Sequence, residues 1–199
     1  RQAGQGLTTP EFAVLLAYTK LAVDQELLAS DLPDDPYLTS WLVDYFPSAL
    51  RTRLRKYMDA HPLRREIITT RVVNDLVNAS GTTFVFRLQE ETGASTPDIA
   101  RAYLVTREVF DLPDFWREVE ALDNKVDTAT QIKMLLEARK LTERGTRWLL
   151  GNRRSPLDLA STVRFFTEGA KGLAEQLPKL LVGPDLAAFE ERRDWYMLR

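Results

Sequence analysis

Near its start, the chain reads Thr-Thr-Pro-Glu-Phe-Ala-Val-Leu-Leu-Ala-Tyr-Thr-Lys-Leu-Ala-Val-Asp-Gln-Glu-Leu over residues 8–27. Two threonines precede Pro10 and Glu11, an order typical of a helix N-terminus with a capping hydroxyl and an early acid. The residues behind them recur at the 3.6-residue spacing of one helix face. The stretch therefore predicts a long amphipathic helix that ends near Ser30. Its core-facing stripe is Phe12, Leu15, Leu16, Thr19, Ala22, Val23 and Leu27.

The same helical signals recur along the rest of the chain. Further helices are predicted from Asp35-Pro36 through Phe46, from Pro62 to Gly81, from Ser95-Thr-Pro-Asp98, from Asp127 and from Ser155-Pro156. Two of these have clear apolar stripes: Ile99, Ala102, Tyr103, Thr106 and Phe110 in one, and Leu159, Val163, Phe166, Ala170, Leu173 and Leu177 in the other. We expect an all-α fold of about eight to ten helices with no substantial sheet and antiparallel neighbours.

Three local features need separate interpretation. Residues 82–92 alternate like a strand, but a lone strand has no partner here and Gly93 suits a helix C-terminus, so we favour helix over strand. The segment 167–169 is a candidate break in its helix. Gly145 falls in a stripe whose other members are Met134, Ala138, Leu141 and Trp148. Because a glycine inside a helix costs about 1 kcal/mol relative to alanine, we expect Gly145 to mark a close approach of two helices.

Composition excludes several classes of protein. The chain has 199 residues, 44% of them hydrophobic and 28% charged, with a formal net charge of −2, which is ordinary for a globular protein and gives no global attraction to nucleic acid or anionic lipid. It has no cysteine, which excludes thiolate metal sites and favours a reducing compartment. No apolar run is long enough to span a bilayer. We expect a cytoplasmic protein and a single helical region over residues 1–199, with a candidate sub-boundary near residues 125–127.

Charge is segregated along the chain. Residues 24–44 contain six acids and no base, whereas residues 51–71 contain seven bases and two acids, and residues 139–154 contain six bases and one acid. Acidic and basic faces that meet within the fold, or at a partner, are the leading explanation. In particular, we expect Arg64 and Arg65 to pair with acids of residues 24–44.

The search for catalytic chemistry gives no catalytic, cofactor-binding or metal-binding residue. None of the nucleotide-binding or nucleophile-elbow motifs is present. The one histidine, His61, has no second ligand at metal spacing, so we expect a capping or surface role. The remaining candidates are interface or anion contacts: His61, Arg64, Arg65, Arg153 and Arg154.

Residues 88–102 allow a different interpretation. They read as a helix, a glycine turn and a capped helix, similar to a DNA-binding helix-turn-helix. Asp98 and Glu108 accompany Arg101 and Arg107 on the second helix, however, and phosphate binding requires several net cations. We therefore expect a structural helical hairpin and no nucleic-acid partner.

Long strings of the chain resemble one known family. Residues 6–20 (Gly-Leu-Thr-Thr-Pro-Glu-Phe-Ala-Val-Leu-Leu-Ala-Tyr-Thr-Lys) and 81–94 (Gly-Thr-Thr-Phe-Val-Phe-Arg-Leu-Gln-Glu-Glu-Thr-Gly-Ala) resemble the C-terminal region of the large bacterial NAD-specific glutamate dehydrogenases. So do residues 28–37, 64–70, 74–78 and 121–125. The resemblance keeps the same order along the chain and fades after about residue 180.

The resemblance implies that this chain is part of a longer parent enzyme, which oxidises L-glutamate to 2-oxoglutarate and ammonia with NAD. Both chain ends also look like cuts. The family's catalytic and dinucleotide-binding parts precede this region, so no catalytic or NAD-binding residue is carried over. We expect a non-catalytic structural or oligomerisation region, with the catalytic domain of the same chain as its partner, in a homo-oligomer without membrane contacts. The alternatives are a regulatory module, in which Arg64, Arg65, Arg153 or Arg154 would bind a metabolite carboxylate, and the helix-turn-helix.

Overall fold

The computed structural model describes the backbone of residues 6–197 and the side chains of residues 6–191. The α-helices in this part are α1 (Thr9–Leu28), α2 (Thr39–Tyr45), α3 (Ser48–Arg51), α4 (Arg55–Asp59), α5 (Arg64–Ser80), α6 (Phe84–Thr92), α7 (Thr96–Val109), α8 (Leu112–Glu120), α9 (Thr128–Asn152), α10 (Leu159–Leu180) and α11 (Gly183–Met197). Two short 3-10 helices, Leu32–Asp34 and Pro36–Leu38, connect α1 to α2. The described residues contain no strand, and the all-α prediction is confirmed.

The core is built around α7. Residues 99–106 of this helix are all buried, and α1, α6, α9 and α10 pack around it. The helix α5 lies against α1 and α7 and contributes Ile68, Val72 and Leu76 to the core. A helix buried on every side needs few charges along its middle, and α7 has one there, Arg101.

Capping side chains set the starts of the four helices α1, α7, α9 and α10. The Thr8 hydroxyl and backbone N–H both donate to Glu11 at the start of α1, at 2.7 and 2.8 Å. The predicted caps Ser95 and Asp127 accept backbone N–H groups in the first turns of α7 and α9. The prediction that Ser155-Pro156 caps the next helix is wrong. The helix α10 begins at Leu159 because Asp158 accepts the N–H of Ser161 at 2.7 Å.

The ambiguous segments are helical. Residues 84–92 form α6, which ends at Gly93 in the left-handed conformation at φ 72°, so helix was the right choice over strand. The expected break at 167–169 is wrong, since α10 continues through it. Thr167 donates its hydroxyl to the carbonyl of Val163 at 2.7 Å, and the packing of Phe166 on the core offsets the small helix penalty of one glycine.

The predicted stripes are partly displaced. In α1, Thr19, Val23 and Leu27 are buried as expected, but Phe12 and Leu15 in its first two turns are 48% and 41% exposed. Phe110, the last residue of its stripe, and Leu173, the second-last of its own, are exposed too.

The buried face of α9 is rotated relative to the predicted stripe. Ala138 is buried as predicted, but Leu141 and Trp148 are exposed. The other buried positions of α9 are Thr130, Thr142, Thr146 and Leu149. Thr142 tolerates burial because its hydroxyl donates to the carbonyl of Ala138 at 2.8 Å. The close approach at Gly145 is confirmed, since a Cβ there would lie 2.6 Å from Thr106 Cγ2 on α7.

Candidate functional site

Arg64 and Arg65 pair with the acidic segment, as the charge pattern predicted. Both guanidinium groups lie against the carboxylate of Asp34, with Arg64 Nη1 3.6 Å from Oδ1. Arg64 also donates to the carbonyl of Pro33, and Arg65 donates to those of Leu28 and Ser30. These arginines fasten the α1–α2 connection to α5, which leaves few of their donors for a free carboxylate.

A third arginine in this cluster was not predicted. Only 6% of the Arg101 side chain is exposed, and it contacts Asp35 at 2.8 Å and Asp31 at 3.2 Å. It also lies 3.4 Å from the carbonyl of Leu157, so it joins α7 to two loops. The sign of this contact in the sequence is the acidic segment 24–44, because its six acids have no base among them and need cations from other parts of the chain. Sequence spacing gives no indication of which cations these are.

The other predicted contact residues lie apart from this cluster. His61 accepts the N–H of Leu63 through Nδ1 at 3.1 Å, and its ring lies 5.6 Å from that of Phe46. This is a local turn contact, consistent with the expected capping or surface role. The Arg153 guanidinium lies over the rings of Phe165 and Phe166, at 5.2 and 4.8 Å from their centroids. Arg154 is exposed.

The glutamate Glu143 pairs with an arginine of the basic segment 139–154 and with one arginine of α6. Arg87 makes two hydrogen bonds to the Glu143 carboxylate, at 3.0 and 2.8 Å, and Arg147 adds a third at 3.1 Å. These bonds, the larger share from Arg87, lower the pKa of Glu143 to about 2. Arg147 also binds Glu91. The network joins α6 to α9 and is structural.

A polar cleft of about 560 Å³ lies between α2, α5, α7 and the start of α8. Asp75 and Arg107 line it. Behind them lies the buried Tyr103, whose hydroxyl donates to Asp75 at 2.6 Å, and Arg107 Nε lies 2.8 Å from the same carboxylate. Burial, and then the Asp75 charge, raise the pKa of Tyr103 well above its usual value. The Arg107 guanidinium also lies over the Trp41 ring. Asp75 and Arg107 neutralise one another, which favours a structural role for this pair.

The helix-turn-helix interpretation fails on burial. The helices α6 and α7 and the Gly93 turn form as predicted, but α7 is the central helix of the fold. Its residues 99–106 are covered by neighbouring helices and present no face to a DNA groove.

The most unusual surface lies on α1. Val14, Tyr18 and Leu21 are 57%, 69% and 57% exposed. Their spacing of i, i+4 and i+7 places them in one line on the face of α1 opposite the buried residues Thr19, Val23 and Leu27. We name Val14, Tyr18 and Leu21 the outer stripe. The sequence interpretation missed it, although the same periodicity could have revealed a second apolar face.

An apolar groove lies beside the first turns of α1. It has a volume of about 420 Å³ and runs between α1, the end of α5 and α9. The apolar side chains along it are Phe12, Leu16, Val77, Ile132, Leu135 and Leu136. We name this set the N-terminal groove. Together with the outer stripe, it makes the start of α1 apolar on nearly every side, which is typical of a helix enclosed by protein.

Comparison with known proteins identifies the family. The sequence profile of the family described as "Glutamate dehydrogenase, C-terminal" matches residues 4–198. The chain belongs to this family. The match to the glutamate dehydrogenase C-terminal family extends past residue 180, where the resemblance of the quoted strings faded.

Three bacterial proteins named NAD-specific glutamate dehydrogenase are similar to this glutamate dehydrogenase C-terminal region. The protein of Halomonas elongata is 42% identical over 192 residues, that of Pseudomonas aeruginosa 42% over 195, and that of Mycobacterium tuberculosis 38% over 190. The alignments cover 96%, 98% and 96% of this chain. They cover 12% of each relative, so the chain spans only a small part of the length of the proteins it matches.

Two kinds of feature were not found in the described part of this glutamate dehydrogenase region. None of its helices is long and apolar enough to cross a bilayer. Within the same residues, no three His, Asp or Glu side chains are grouped so that they could hold a metal ion. What the described residues do offer is exposed apolar surface.

Proposed function

We propose that this chain is a non-catalytic structural region of an NAD-dependent glutamate dehydrogenase, which packs against the catalytic domain of the same polypeptide and supports subunit assembly. The parent enzyme would oxidise L-glutamate to 2-oxoglutarate and ammonia, with NAD bound outside this region. It would act in the cytoplasm as a homo-oligomer, without a nucleic-acid partner. Membership of the family and the names of the relatives support this proposal.

The observation that carries the proposal is the outer stripe. Burying an aliphatic or aromatic side chain of this size contributes about 1.5–3 kcal/mol relative to leaving it in water. Three such side chains in one line form a larger apolar surface than scattered exposed residues give. In a longer parent protein, this surface is where other domains or subunits would lie.

The test uses the full-length enzyme with an aspartate in the outer stripe, as Leu21→Asp or Tyr18→Asp. Burying a carboxylate against an apolar partner is unfavourable, so we expect a lower thermal midpoint or dissociation into smaller species in sedimentation velocity. Gln176→Asp, which adds the same charge at an exposed polar position of α10 outside the outer stripe, is the matched control and should change neither.

The enzyme that remains assembled should keep its KM for NAD, because the proposal places no residue of this region at the cofactor. Unchanged stability and sedimentation in both stripe variants would contradict packing through α1. A raised KM for NAD in the stripe variants alone would contradict a non-catalytic role.

A further inference from the structure

A second apolar groove lies on another side of the molecule, between α7, α9 and α10. It has a volume of about 430 Å³, and its walls include Phe110, Trp148, Phe165 and Phe166. Phe165 and Trp148 are 69% and 49% exposed. We name this the three-helix groove. It is separate from the outer stripe and from the N-terminal groove.

Small residues give the three-helix groove its depth. Gly145 on α9 and Gly169 on α10 both line it, and a Cβ at Gly169 would meet no atom within 4 Å. The aromatic walls hold one another in place, since the Phe166 ring is edge-on to Trp148 at 5.7 Å and to Phe165 at 4.9 Å. The groove therefore exists before any partner binds.

Arginines flank this apolar surface. Arg153 lies over the rings of Phe165 and Phe166, and Arg154 follows it. Arg144 is exposed one turn before Trp148 on α9. Unlike Arg147, none of the three forms an ion pair with a carboxylate in the described part of the chain. An occupant that combines apolar residues with carboxylates would satisfy both features.

We propose that the three-helix groove receives an amphipathic, acidic helix from the part of the parent polypeptide outside this chain. The apolar face of that helix would lie on Trp148, Phe165 and Phe166, with its carboxylates near Arg153 and Arg154, as in other helix-in-groove interfaces. This inference rests on the proposed function, and it adds which surface is used and what chemistry the partner segment has.

Two further arguments support this occupant. The matched region makes up only 12% of each relative, so a parent polypeptide of similar length has most of its residues outside this chain and can supply a helix. A second copy of this chain fits less well. A two-fold contact places the same patch against itself, which would bring Arg144, Arg153 and Arg154 of both copies together.

The first experiment is photo-cross-linking in the full-length enzyme. Benzoylphenylalanine replaces Gly169 in one preparation and Gly172 in the other. Gly172 is the matched control, because it lies on α10, a Cβ there would meet no atom within 4 Å, and it does not line the groove. We expect position 169 to cross-link to a peptide outside this region that has apolar residues at helical spacing and flanking carboxylates, and position 172 not to reach that peptide.

Three results would overturn the proposal: no cross-link from position 169, the same cross-links from both positions, or a cross-link to this region of a neighbouring subunit. A second pair of variants tests the same groove by filling it. Gly169→Leu should lower the thermal midpoint of the full-length enzyme, whereas Gly172→Leu should not. If the stripe variants impair the enzyme but these groove variants behave alike, only the groove proposal is lost. If neither set has an effect, the proposed function is lost as well.

Discussion

Gly145→Ala should destabilise the chain, although alanine favours helices over glycine. Gly145 lies in the middle of α9, where it faces Thr106 on the central helix α7. A Cβ at this position would lie 2.6 Å from Thr106 Cγ2 and 3.2 Å from its Oγ1. Thr106 has little freedom to turn away, because it is buried and its hydroxyl donates to the carbonyl of Ala102 at 2.9 Å.

The magnitude follows from two opposing effects. Carbon atoms in ordinary contact are about 3.5–4.0 Å apart, so α9 and α7 must separate by about 1 Å to accept the methyl group. Overpacking of this kind costs about 1–3 kcal/mol, and the better helix propensity of alanine returns about 1 kcal/mol. We expect a net loss of about 0–2 kcal/mol for Gly145→Ala and a larger loss for Gly145→Leu.

Gly151→Ala is the matched control on the same helix. A Cβ at Gly151 would meet no atom within 4 Å, so this variant should be neutral or more stable by up to about 1 kcal/mol. Urea unfolding of the 199-residue chain, followed by helical circular dichroism, measures both variants. Because both variants gain the same helix propensity, they differ by the overpacking cost of about 1–3 kcal/mol. At a slope of about 2 kcal/mol/M, the two midpoints should therefore differ by about 0.5–1.5 M. Equal midpoints for the two variants would refute the close approach at Gly145.

Three other predictions concern charge and cofactor. Arg101→Ala leaves the half-buried Asp35 without its cation and should lower the free energy of unfolding in urea by about 3 kcal/mol. Arg117→Ala, which removes one partner of an exposed ion pair, should lower it by less than about 0.5 kcal/mol. Equal losses would contradict the burial of Arg101. The pKa of Glu143 is lowered from 4.5 to about 2, so its stabilisation is complete above pH 4.5 and disappears as the pH falls towards 2. Between pH 4.5 and 2, the unfolding free energy of the wild type should therefore fall by about 1–3 kcal/mol more than that of Glu143→Gln. Parallel curves of unfolding free energy against pH for the two proteins would contradict the network. Isothermal titration calorimetry of the chain with NAD should give no saturable heat, and micromolar binding would require a cofactor site within this region.

Local signals in the sequence predicted most of the fold. Side chains that cap within three residues, such as Ser95 and Asp127, mark helix starts because they depend only on nearby backbone groups. The start of α10 was misplaced because the prediction took Ser155 as its cap, whereas Asp158, three residues later, is the side chain that caps it. Only the path of the chain decides which of the two is used.

The site was less predictable than the fold. The pairing of Arg65 with Asp34 followed from the separation of unlike charges, but the burial of Arg101 depends on contacts between distant segments. Periodicity found the covered face of α1 through Thr19, Val23 and Leu27, but the apolar residues on the opposite face were missed. In α9, the stripe was displaced because Thr142 satisfies its hydroxyl within the helix and so packs as an apolar residue would.

The exposed start of α1 gives the most direct test of the structural role. Amide hydrogen exchange should be measured for residues 10–21 in this chain alone and in the full-length enzyme, with residues 99–106 of α7 as the internal reference. We expect the α1 amides to exchange much more slowly in the full-length enzyme, while the α7 amides are protected in both. Equal exchange of residues 10–21 in the two proteins would contradict the claim that the parent enzyme covers this surface.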